Sequence, residues 1–149
     1  MKKKIIKWIL VILWMGLIFY FSSSDRSTST NQSRSVVGKT NIVEIYEEKH
    51  NVDSNTALEN VDRIFRKVAH VIEYLVLALL ICSALGEYNL SLKNILLLSF
   101  IICLIYSSSD EMHQLLVSGR SGELRDIIID NIGSIIGCSI YLLFKRRKL

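Results

Sequence analysis

The chain has 149 residues, 50% of them hydrophobic, no proline and a formal net charge of +4. Its mean hydropathy of +0.35 is high for a soluble domain of this size. The net positive charge comes from basic flanks of apolar runs, where cations set topology, so it implies no nucleic-acid partner.

Four stretches approach the length of about 20 mostly apolar residues that a helix needs to cross a bilayer. They are 5–22, 68–85, 92–108 and 124–144. The predicted fold is an all-α integral membrane protein, a four-transmembrane-helix bundle forming one domain over 1–149, multi-pass in the cell (cytoplasmic) membrane. Lys2, Lys3 and Lys4 ahead of the first run also fit a secretory leader. That run is too long for a leader's apolar core, however, and "FSSSDRS" offers no small-x-small cleavage site. It is read as a retained helix, with Lys7 reaching back to the interface.

Residues 23–67 form the one large segment outside the predicted spans. "SSSDRSTSTNQSRS" is polar and low in complexity, as loops are. Val36, Val37, Thr40, Val43 and Tyr46 recur at roughly helical spacing, which points to a short amphipathic helix on the membrane surface. "TALE" at 56–59 reads as a capping box from which a helix can run on into the second span.

Four spans place both termini on one side. That side would carry Lys2, Lys3, Lys4, Lys7, Lys93, Lys145, Arg146, Arg147 and Lys148 against a single acid, Glu87. Short basic flanks face the cytoplasm, so both termini are predicted cytoplasmic and 23–67 becomes an extracytoplasmic loop between the first two spans. Arg63, Arg66 and Lys67 oppose this mildly, but long loops translocate whatever their charge. Parity then gathers "FSSSD", "FRKVAHVIEY", "SSSDEMHQ" and "GRSGELRDIIIDN" in the outer leaflet.

Within that leaflet Lys67, His70, Glu73 and Tyr74 share one helix face by their spacing. A carboxylate such as Glu73 must meet protein or water rather than lipid. Lys67 and His70 could simply satisfy it, or the histidine and acid could pass a proton. Asp110, His113 and Gln114 share a second face, with Glu111 pointing elsewhere. An ordinary wetted helix end would suit Glu111 and Gln114 better than Asp110 and His113.

Arg120 stands in the glycine-containing connection "SGRSGE", beside the amino end of the last span, where helix N–H groups favour anions. Arginine clamps phosphate or carboxylate well, although a loop arginine is most often only solvated. In the last span Asp126, Asp130, Gly133 and Gly137 follow one stripe, with Asn131 and Ser134 beside it. The glycines are expected to let two helices approach closely. Asp126 could equally serve only the helix dipole.

No cofactor is predicted. Histidines and acids of metal-binding type are present, but no familiar metalloenzyme string is, and the metal assignment is none. Ser107–Ser109 lack a Gly-x-Ser-x-Gly setting. Cys82, Cys103 and Cys138 all fall within spans and are read as packing residues, not a disulfide framework.

"FSSS", "KVAHVIEY", "DEMHQ", "GRSGELRD" and "NIGSIIG", in this order across nearly the whole chain, resemble the VanZ-like family of small bacterial membrane proteins, named for a teicoplanin-resistance protein. The resemblance marks Lys67, His70, Glu73, Tyr74, Asp110, Glu111, His113, Gln114, Arg120, Asp126 and Asn131 as signature polar positions, and Gly133 and Gly137 as packing glycines. Ser24 departs from an expected glutamine and Ser118 from an expected proline, while Asp130 is outside the pattern. Resistance to teicoplanin-type glycopeptides is implied for some members, with no reaction.

Two functions follow as expectations. In the first, the outer-leaflet site binds a lipid-linked anionic envelope precursor or the glycopeptide. Lys67 and Arg120 hold the anion, with Tyr74, Glu111, Gln114, Asp126 and Asn131 also lining the ligand. In the second, an intramembrane hydrolase or transferase acts on a lipid-linked envelope substrate, with His70, Glu73, Asp110 and His113 as acid–base candidates. A proton or ion pathway fits less well, because no polar trail reaches the opposite leaflet. The bilayer itself is the one certain partner.

Overall fold

The computed structural model describes residues 2–23, 41–117 and 124–146, and these are all helix and connecting turns. Helix α1 spans Lys2–Ser22, α2 Ile42–His50, α3 Ser54–Leu85, α4 Leu92–Gln114 and α5 Leu124–Arg146. All except α2 are long and apolar enough to cross a membrane. The four expected spans are therefore present, and the protein is a multi-pass membrane protein.

Contacts fix the relative directions of the helices. Lys67, His70, Val71 and Leu75 of α3 meet Asp126, Asp130, Gly133 and Gly137 of α5 in ascending order, so α3 and α5 run parallel. Lys7 of α1 reaches the carbonyl of Ser83, whereas Trp14 reaches the carbonyl of Glu73, so α1 is antiparallel to α3. Helix α4 is antiparallel too, with Cys82 against Ser99 and Tyr74 against Tyr106. The bundle is built around the α3–α5 contact, its most extensive.

Burial tells what each helix contributes. On α1 only Val11, Ile18 and Ser22 are buried, while Ile5, Ile6, Ile9, Ile12 and Leu13 stay exposed, the pattern of a peripheral helix facing lipid. The buried stripe of α4 runs Ile95, Ser99, Cys103, Ser107, Asp110, Glu111 and Gln114, at helical spacing throughout. It passes from apolar through small to ionisable along one seam. The core of the bundle is thus apolar at one end and polar at the other.

Cys82 and Cys103 are fully buried, and Cys82 Sγ lies 3.9 Å from Cys138 Sγ, a packing contact between free thiols. Away from the polar end, Lys7 donates to Glu87 as well as to Ser83, and Trp8 Nε1 donates to Tyr88 Oη at 3.1 Å. The Lys7 hydrogen bond, then its charge, holds the Glu87 carboxyl below its ordinary value. Lys7 is therefore tied to the turn between α3 and α4, where snorkelling alone was expected.

The segment between the first two spans holds two helical pieces, as its spacing suggested: α2 occupies 42–50, and α3 begins at Ser54 and runs unbroken through the second span. With 32 residues α3 is about 48 Å long, well beyond the roughly 30 Å of a hydrocarbon core. Its first turns therefore stand outside the membrane, and α2 packs on it. Val43 and Tyr46 fall in α2, while Val36, Val37 and Thr40 lie outside the described residues.

The helix expected from 56–59 starts two residues earlier, with a different cap. Asp53 is the cap, accepting from Thr56 Oγ1 at 2.6 Å and from Thr56 N–H at 3.2 Å. The two Thr56 groups hold the Asp53 carboxyl below its ordinary value of 3.8, the side-chain bond contributing most. A carboxyl depressed in the folded state stabilises fully above its ordinary value, and that contribution is lost as pH falls through the lower folded value. Protection of the 54–57 amides against hydrogen exchange is expected to fall in that acid range. In Asp53→Ala it is expected to fall at neutral pH as well, on the order of fivefold. Unchanged exchange in the variant would remove Asp53 as the cap.

Candidate functional site

The polar end is assembled from four helices. Lys67 and His70 lie one turn apart on α3 and face two carboxylates one turn apart on α5. Lys67 Nζ is 3.5 Å from Asp126 Oδ1, and His70 Nδ1 is 3.5 Å from Asp130 Oδ1 and 3.6 Å from Glu73 Oε2. This close helix approach needs the two glycines one and two turns further on. A Cβ at Gly133 would run into the Val71 carbonyl, and one at Gly137 into the Leu75 carbonyl.

Asp130 is the most buried of the acids here, 1% exposed. Asp110, Glu111, Asp126 and Glu73 all stand within electrostatic reach of it, so carboxylates from three helices share one low-dielectric space. Asp110 accepts from Gln114 Nε2 at 3.2 Å through Oδ2. Asn131 Nδ2 donates to Ser107 Oγ at 3.0 Å and to the Ile127 carbonyl at 2.7 Å, joining α5 to α4. Tyr74 is wholly buried, with its ring 6.1 Å from that of Tyr106, whose hydroxyl donates to the Met15 carbonyl at 2.6 Å.

His113 stands on the flank of this seam. Its ring packs on Phe19 at 4.5 Å, and Nε2 is 3.2 Å from Ser23 Oγ. The one proton of Ser23 Oγ goes to the Phe19 carbonyl at 2.6 Å, so that oxygen is left to accept from His113 Nε2–H. In this arrangement His113 ties the end of α1 to α4.

The proposed positions thus meet as far as they are described. Lys67, His70, Glu73, Tyr74, Asp110, Glu111, Gln114, Asp126 and Asn131 converge, and His113 borders them. Arg120 lies outside the described residues, as does the rest of "SGRSGE". Glu111 and Gln114 are buried, 5% and 4% exposed, rather than wetted. The reason is the register of α4, whose inward stripe is 107, 110, 111 and 114, with 113 one position off it. Asp130, which the family pattern did not single out, is central. Its place on the Asp126–Gly133–Gly137 stripe was the available signal.

Six buried side-chain oxygens here have no hydrogen-bond partner among the described residues: Ser22 Oγ, Tyr74 Oη, Asp110 Oδ1, Asp126 Oδ1, Asp130 Oδ1 and Asn131 Oδ1. Buried polar atoms are ordinarily paired, so such a concentration marks a place for water or a ligand. Among the described residues no group of three or more histidines, cysteines or acids is arranged to hold a metal ion.

A protein-family model described as VanZ/LLP1 matches residues 7–145, which takes in all four membrane-length helices apart from their outermost residues. No curated protein and no solved structure matches the chain.

Proposed function

The chain belongs to the VanZ/LLP1 family, and on that premise we propose that it is a cell-envelope membrane protein whose polar end binds the headgroup of a lipid-linked anionic precursor. The polar end faces outward, both termini being cytoplasmic. Occupancy of the site changes how glycopeptides of the teicoplanin type reach their target, and so contributes to resistance.

The observation that carries this reading is the concentration of buried oxygens without a hydrogen bond among the described residues, at one end of an otherwise apolar bundle. Asp126 Oδ1 and Asp130 Oδ1 are faced by Lys67 and His70 only at 3.5 Å, and Asp110 Oδ1, Asn131 Oδ1 and Tyr74 Oη lack even that, which a purely structural pairing would not leave. Lys67, whose side chain is 38% exposed, forms the rim beside Asp126 and is placed to meet a phosphate arriving from the bilayer surface. Arg120 is proposed, from the sequence alone, as a second cation for the same headgroup.

The test is binding of phosphate-bearing lipids to purified protein in nanodiscs. Lys67→Ala and Arg120→Ala are each expected to weaken binding about tenfold, in line with the loss of one charge-assisted hydrogen bond. Expression of the intact protein in a sensitive host is expected to raise teicoplanin tolerance more than vancomycin tolerance. Unchanged lipid affinity in both variants would sink the reading.

A further inference from the structure

A site for an anion alone would be odd here, since what lies beneath the rim is acidic. Glu73, Asp110, Glu111, Asp126 and Asp130 share the space with Lys67, His70 and the flanking His113. Lys67 is engaged by Asp126, and His70 stands between Glu73 and Asp130. Among the described residues Asp110, 3% exposed, has only the neutral Gln114 amide on one oxygen and no hydrogen-bond partner on the other.

The buried atoms without a hydrogen bond also have a direction. Asp110 Oδ1 and Asn131 Oδ1 are acceptors without a partner among the described residues, Asp126 Oδ1 and Asp130 Oδ1 are acceptors faced by Lys67 and His70 at 3.5 Å, and Tyr74 Oη and Ser22 Oγ can donate or accept. Tyr74 is fully buried, its hydroxyl has no hydrogen-bond partner among the described residues, and Asp130 and Asp110 are among the charges that act on it. Water would serve these acceptors, and a ligand that displaces it must bring hydrogen-bond donors of its own. A sugar hydroxyl brings donors but leaves the carboxylates uncompensated, whereas a primary ammonium brings three N–H donors and a positive charge.

We propose that the floor of the site, formed by Asp110, Asp130, Asn131 and Tyr74, binds a primary ammonium group carried on a phosphate ester. The lipid it recognises is then one with an aminoalkyl phosphate headgroup. The proposal rests on the reading of the site as one for a lipid phosphate headgroup, and it makes that headgroup zwitterionic rather than net anionic. The geometry suits it, because the Lys67–Asp126 rim is one helical turn, about 6 Å along the axis, above the Asp130 layer. The phosphate meets Lys67, and the ammonium turns inward to the carboxylates.

Affinity of the full-length protein is measured in nanodiscs doped with phosphatidylethanolamine, phosphatidylglycerol, phosphatidylcholine or a glucosyl diacylglycerol. Phosphatidylcholine keeps the phosphate and the positive charge but has no N–H donor. Phosphatidylethanolamine is expected to bind at least about tenfold more tightly than the other three, the scale of one charge-assisted hydrogen bond. Asp110→Asn and Asp130→Asn, which keep side-chain shape, are expected to abolish that preference. Competition by soluble O-phosphoethanolamine at equal potency would support the ammonium site and place recognition in the free headgroup rather than the lipid.

Equal binding of phosphatidylcholine or phosphatidylglycerol, tighter binding of the glucosyl lipid, or a preference that survives in both variants would overturn the proposal. If phosphatidylglycerol binds in a Lys67-dependent way without any ethanolamine preference, only the ammonium inference fails. If no lipid binds, the headgroup reading fails with it.

Discussion

Gly133→Ala is expected to lower the unfolding free energy in detergent by about 3 kcal/mol, the upper part of the range for overpacking a tight contact. The added methyl group has nowhere to go, since it would meet the backbone of α3 at Val71 rather than the movable tip of a side chain. Relief requires α5 to shift away from α3, and that shift separates Lys67 from Asp126 and His70 from Asp130. Gly137→Ala, which meets the Leu75 carbonyl and the Ala78 Cβ, is expected to act in the same direction. Gly16 supplies the control. A Cβ there meets nothing within 4 Å, so Gly16→Ala should be neutral or slightly stabilising through helix propensity. Denaturant titration followed by circular dichroism compares the three. Equal stability of the Gly133 and Gly16 variants would mean that α3 and α5 do not approach as described.

His70→Ala is expected to destabilise the bundle by about 3 kcal/mol, because it leaves Glu73 and Asp130 facing each other in a low-dielectric setting without the imidazole between them. The stronger statement concerns coupling. If His70 and Asp130 act as a pair, the double variant His70→Ala, Asp130→Asn recovers part of the loss, with an interaction energy of about 1–3 kcal/mol. Additive effects would show that the two residues are merely near each other. The same cycle run with Glu73→Gln separates the contribution of the carboxylate on α3 from that of the one on α5.

The gathering of polar groups at one end could be read from the sequence because span parity is a counting argument that survives errors of a few residues at each boundary. The glycine stripe was legible for a similar reason, since in lipid a small residue marks a helix contact more reliably than an apolar one. Glu111 and Asp130 were harder. Both faces of α4 and α5 are apolar over much of their length, one toward lipid and one toward protein, so periodicity does not mark which face turns inward. Only the small and polar residues do so. The extension of α3 ahead of the second span was legible in the TALE pattern, but its first residue was not: hydropathy does not mark polar first turns, and the cap is Asp53 rather than Thr56. The serine contacts of α1, by contrast, depend on where two helices cross, which sequence spacing does not contain.

Through-space solid-state NMR of the protein in bilayers, with 15N in histidine rings and 13C in aspartate carboxyl groups, tests most directly whether remote residues form one polar cluster. A nitrogen–carboxyl contact is expected for His70 and Asp130, whose Nδ1 and Oδ1 are 3.5 Å apart, and Asp130→Asn should remove it. Histidine signals without any aspartate contact, and with free exchange against water, would contradict it.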